Sequence, residues 1–156
     1  MTKGAASTPS SAAAPRAPRS HWELLEGGAE LGVRGVGATK AGAFEQAALA
    51  LTAVIADPSA IAPRETVEIV CEGADDEMLL VAWLNAVVSE MSERGMLFSR
   101  FHVELRPRQV VATASGERVS VERHHPGADI KCVTDRAVRV ARTRGGEWIA
   151  QALVDT

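Results

Sequence analysis

Tyrosine is missing from the 156 residues, and three Trp and three Phe are the only aromatics. Proteins that carry single-stranded nucleic acid stack its bases on aromatic rings, so an extended stacking platform is excluded. Basic charge is not in surplus either: 17 Lys and Arg stand against 20 Asp and Glu, a formal net charge of −3. Without a positive field, direct sequence-specific nucleic-acid binding is not expected. Cysteine is scarce. Cys71 and Cys132 lie far apart, each in an alternating apolar run, and read as two buried thiols of a cytoplasmic protein rather than a disulfide framework. The usual catalytic signatures are missing: there is no G-x-x-x-x-G-K-S/T loop, no G-x-S-x-G elbow, no C-x-x-C and no H-E-x-x-H. With no nucleophile–base pair and no dense ligand cluster, a stand-alone metal-dependent hydrolase is not expected.

One long apolar run is present, and the chain is organised around it. From Met78 to Met91 only Asn85, Ser89 and Glu90 are polar. Asp75 is a candidate N-cap, Asp76 and Glu77 face the positive end of the dipole, and Arg94-Gly95 closes the segment. A helix apolar on nearly every side is buried. Asn85, Glu90, Glu93 and the acidic start argue against a membrane span.

Residues 1 to 20 are Ala, Ser, Pro and a few basic residues, with no apolar h-region, so they read as a disordered tail and not a secretory signal. Residues 21 to 156 make one domain. Ala29–Val36 predicts a strand whose Gly32 and Gly35 mark a bulge or a close backbone approach. Thr39 caps a helix with apolar positions Phe44, Ala47, Ala48, Leu51, Val54 and Ile55, ended by Asp57-Pro58. Strands follow at Thr66–Glu72, Phe98–Leu105, Gln109–Gly116, Ala128–Thr134, Ala137–Thr143 and Glu147–Val154, with turns at Gly116-Glu117 and Arg144-Gly145-Gly146. The late strands are too closely spaced for crossover helices. The fold class is therefore α+β, two helices packed on a mostly antiparallel sheet.

Three places carry candidate chemistry. His124-His125 precedes a proline and reads as a solvated loop pair, since adjacent side chains rarely converge on a metal. Asp155 ends the last strand beside the terminal residue, where anionic oxygens would suit a hard cation; the competing reading is a frayed charged terminus. Lys131 sits inside a strand, either as a snorkelling lysine on the wet face or as an anion contact.

Several segments, in order, resemble the archease family: HWELLEGGAELGVRGVGAT, AFEQAALAL, LLVAWLNAVVSEMSERGMLFSRF, IKCVTDRAVRV and the terminal GGEWIAQALVDT. The resemblance spans His21 to Thr156. It implies a compact α+β domain with no catalysis of its own, an activator of the RtcB-type GTP-dependent RNA ligase in tRNA splicing and RNA repair. It also implies a chaperone-like link to a tRNA cytosine-5 methyltransferase. Carried over by position, a divalent metal, foremost Ca²⁺ with Mg²⁺ or Mn²⁺ as alternatives, would be held by Glu30, Asp155 and the Thr156 main chain, and an essential lysine falls on Lys131. Archeases usually read His-Thr-Ala-Asp where this chain has Gly27-Gly28-Ala29-Glu30, so the histidine is gone and the acid is one methylene longer.

Overall fold

The computed structural model describes residues 20–27 and 30–156. The tail expected over residues 1–20 lies, but for Ser20, outside the described residues, as do Gly28 and Ala29. The elements run β1 (His21–Gly27), β2 (Glu30–Gly37), α1 (Lys40–Ile55), a short 3₁₀ turn (Pro58–Ala60), β3 (Glu65–Glu72), α2 (Asp76–Arg94), β4 (Met96–Arg106), β5 (Gln109–Arg118), the single turn α3 (Val121–His124), β6 (Cys132–Arg142) and β7 (Trp148–Asp155). The strands form two sheets, β1-β2-β7-β6 and β3-β5-β4, and every pairing is antiparallel. The α+β class with two main helices holds, with the sheet divided in two. Each helix touches both sheets, so the helices are what join them.

Local chemistry explains both helices. The Thr39 hydroxyl accepts from the Gly42 N–H at 2.9 Å, and the Asp75 carboxylate accepts from the Met78 N–H at 2.9 Å, each satisfying a donor the helix itself leaves free. Gly95 ends α2 in the left-handed region, φ 63°, which favours glycine. Leu80, Trp83, Leu84 and Val87 of α2 are fully buried, and Trp83 Nε1–H donates to the Phe44 carbonyl of α1 at 3.0 Å. Gly35 is the close approach that its place in a strand suggested. A Cβ there would lie 2.1 Å from the Ala43 carbonyl oxygen and 2.2 Å from the Ala47 nitrogen, so glycine lets α1 lie directly on β2.

The structure corrects four readings. His21–Gly27, ahead of the first expected strand, is itself a strand paired along its whole length with β2. Its partly exposed apolar residues, Trp22 and Leu24 among them, give no clean burial alternation to read. Gly116-Glu117 is not a turn: β5 continues to Arg118. His124 is not solvated but 4% exposed, held on α3 by its bond to Glu117. Ala128–Thr134 and Ala137–Thr143 are not two strands but one, β6, whose register breaks between Thr134 and Arg139. Cys71 and Cys132 are free thiols in strands as expected, though only half-buried; burial pushes the Cys71 thiol up to about 11.

Candidate functional site at one end of the four-stranded sheet

Three strand ends converge. β7 is an inner strand, with β2 on one side and β6 on the other. Leu31 pairs with Val154, so Glu30, the next residue out on β2, starts its strand level with Asp155. On the other side Cys132 pairs with Asp155, and the Lys131 N–H donates to the Asp155 carbonyl at 2.8 Å. Glu30, Lys131 and Asp155 therefore share one sheet end although 101 and 24 residues separate neighbours in the chain — antiparallel pairing, not sequence proximity, brings them together. All three are exposed, as is Thr156.

What holds β6 in place was not read from the sequence. β6 is an edge strand, and its outward backbone groups need partners. Asn85 of α2 supplies both: its Nδ2 donates to the Val133 carbonyl at 3.0 Å and its Oδ1 accepts from the Val133 N–H at 2.8 Å. The polar interruption of the apolar helix thus stands in for a missing strand and fixes β6 two residues beyond Lys131. Glu45 of α1 does the same on a smaller scale for β4, the edge of the other sheet, accepting from the Val103 N–H at 2.9 Å.

A further residue unforeseen from sequence is Arg136. It emerges from the irregular stretch of β6 and places its Nη1 2.6 Å from a carboxylate oxygen of Glu30. The Asp135-Arg136 pair was the only hint, read as the break between two strands. Its ion pair bears directly on the metal implied for Glu30, Asp155 and Thr156. Among the described residues no group of three or more His, Cys, Asp or Glu side chains is placed to hold a metal ion. Two side-chain carboxylates remain, and one is already paired with a guanidinium. Hard divalent cations take six or more oxygens. As folded, this end does not present a ready cation site.

Beside Lys131 runs an open, mainly apolar groove of about 400 Å³. Ile55, Met91, Met96, Leu97 and Ile130 line it, with Asp129 and Ser92 as polar members. It holds no paired acid and base. No helix among the described residues is long and apolar enough to cross a membrane.

Comparison with known proteins agrees with this arrangement. The model of the Archease protein family (MTH1598/TM1083) matches residues 22–156. Protein archease of Thermococcus gammatolerans is 33% identical over 138 residues, covering 86% of this chain and 97% of the relative. Protein archease of Methanopyrus kandleri is 36% identical over 138 residues, with 86% and 98% covered. The solution structure of Methanobacterium thermoautotrophicum protein 1598 superposes with a TM-score of 0.75 at 26% identity, over 86% of this chain and 98% of that one. With a family model matched nearly end to end and the same fold in a solved relative, the chain belongs to the archease family.

Proposed function

We propose that this chain is a non-catalytic accessory protein that activates an RtcB-type GTP-dependent RNA ligase, promoting guanylylation of the ligase and its multiple turnover. The observation that carries the reading is family membership over residues 22–156 together with Lys131 and Asp155 joined at one sheet end. In this reading residues 21–156 are the working domain, residues 1–20 stand outside it, and the protein acts in the cytoplasm on tRNA splicing and RNA repair. The exposed sheet end is the part that reaches the ligase. Lys131 contacts an anionic group there, a nucleotide phosphate or a carboxylate; the Asp155 main-chain carbonyl holds the Lys131 backbone, and the exposed Asp155 carboxylate is the second group that meets the ligase. A divalent cation, Ca²⁺ first and Mg²⁺ or Mn²⁺ next, would have to share Glu30 with Arg136 before Asp155 and the Thr156 main chain could complete its ligands.

The test is ligation turnover by an RtcB-type ligase with this protein at substoichiometric amounts. Product is expected to pass one turnover per ligase, and Lys131→Ala and Asp155→Ala each abolish that stimulation while the circular dichroism spectrum is unchanged. Full stimulation by both variants overturns the roles given to them.

The groove beside Lys131 favours a second mode, a chaperone-like grip on a tRNA cytosine-5 methyltransferase. An apolar groove binds through shape and apolar area and needs no metal. Partner binding that survives in chelator, with no effect on ligation, distinguishes this mode from the first.

A further inference from the structure

The three-stranded sheet β3-β5-β4 buries one face under the helices, with Val67, Ile69, Ala112 and Val103 pointing inward. The alternate residues stand on the other face. Register sets them in level rows: Glu68 with Thr113 and His102, Val70 with Val111 and Glu104, Glu72 with Gln109 and Arg106. Over these rows the residues of both outer strands are exposed, Val70 to 58%.

The charges on this face are sorted by strand. The β3 column holds two acids, Glu68 and Glu72, and no base. The β4 column holds Arg100, His102 and Arg106, with a single acid, Glu104, which Arg106 already meets at 3.3 Å. Between them the β5 column is uncharged from Gln109 to Ser115. Such a face complements itself. A two-fold axis parallel to the strands and passing over β5 lays the β3 column of each copy on the β4 column of the other. Every row keeps its level. Glu72 then faces Arg106 and Glu68 faces His102, each pair formed twice, and Val111 meets its own copy on the axis beside Val70. Edge pairing is the other route to self-association, and on β4 the Glu45 carboxylate already takes up the Val103 N–H.

We infer that two copies of this chain associate through this open face, sheet on sheet, the acidic column of each on the basic column of the other. Three strands about 4.8 Å apart and eight residues of about 3.4 Å each make a face of roughly 14 by 27 Å. Two copies then bury about 800 Å² in all, the low end for a specific contact, so the dimer is weak, with a dissociation constant on the order of 100 µM. Charge complementarity supplies its specificity and makes it sensitive to salt. Glu30, Lys131 and Asp155 stand at the end of the other sheet, so the inference does not depend on the ligase reading.

The experiment is sedimentation equilibrium of the full chain from about 10 to 500 µM, the range that brackets such a constant. A reversible monomer–dimer equilibrium is expected at low salt, weakening as salt is raised. Glu72→Arg and Arg106→Glu, each with a wild-type circular dichroism spectrum, are expected to dimerise at least roughly tenfold more weakly, because each sets like charges opposite one another twice. Mixing the two variants in equal amounts is expected to restore the dimer, since Arg at 72 in one copy then faces Glu at 106 in the other. Glu68→Arg and His102→Glu make a second pair with the same logic, to be used if either of the first fails to fold. A monomer at every concentration overturns the inference and leaves the face to a different occupant, the segment before residue 20 or another protein. Dimers as strong in the single variants as in the wild type overturn it too, and so does a mixture of folded variants no more dimeric than its parts.

Discussion

Glu117 shows how much one side chain can organise. It is 4% exposed, and its carboxylate accepts from both Arg123 Nη atoms at 3.1 and 2.6 Å, from the Ala62 N–H at 2.8 Å and from Arg64 Nε at 3.1 Å, with His124 Nε2 at 3.0 Å. Arg123 above all, then the Ala62 N–H and His124, hold its carboxyl well below the ordinary value of 4.5. A carboxyl depressed by folding contributes stability that is fully present above about pH 4.5 and drains away as the pH falls towards the folded-state value, because the unfolded chain binds the proton first. Thermal melts between pH 7 and pH 2 are therefore expected to fall steeply below about pH 4.5 for the wild type. Glu117→Gln should start from a lower melting temperature at neutral pH and descend less steeply; parallel curves would place the acid sensitivity elsewhere. None of this network was legible in the sequence. Glu117 follows a glycine and looked like a turn, and two adjacent histidines before a proline looked solvated. Burial here comes from β5 running two residues further than its alternation suggested.

The elements were more legible than their partners. α2 announces itself because its caps and apolar run agree: Asp75 and Gly95 are where side-chain and backbone chemistry place them. The pattern cannot say that its one central amide faces an edge strand 48 residues on. Asn85→Leu tests that link at the scale of the element. It leaves the Val133 N–H and carbonyl without their partner, and two unpaired backbone groups on a buried residue are expected to cost about 1–3 kcal/mol each, a drop of several degrees in melting temperature. Ligase stimulation is expected to fall further than that loss alone requires, since the freed edge carries Lys131. A variant as active as the wild type at a temperature where both are folded would detach Asn85 from the site. β6 itself was read as two strands for a physical reason. A four-residue excursion opposite one residue destroys the period-two alternation on which strand reading depends.

At the scale of the whole molecule, the fold class and the family came from the order of segments, whereas the division into two sheets did not. Alternation within a strand tells which face is buried but not which other strand lies beside it. The candidate site inherits that blindness. Lys131 and Asp155 could be singled out one by one, but their shared position depends on β7 entering between β2 and β6. That late entry also sets the timing of folding. During synthesis the β1–β2 hairpin is made first and β6 long afterwards, and neither can find its neighbour until the segment between them has left the ribosome. One sheet can assemble early from β3, β4 and β5; the other waits for β7. Such long-range closure is slow and leaves strand edges open to other chains meanwhile. Arrested chains ending at Gly146 are expected to be protease-sensitive across residues 21–37 and prone to associate, whereas full-length chains are protected there, as limited proteolysis of stalled and released chains would reveal. β7 is thus both the seal of the sheet and the carrier of Asp155, so a chain that presents this acid in place has already passed its own folding checkpoint.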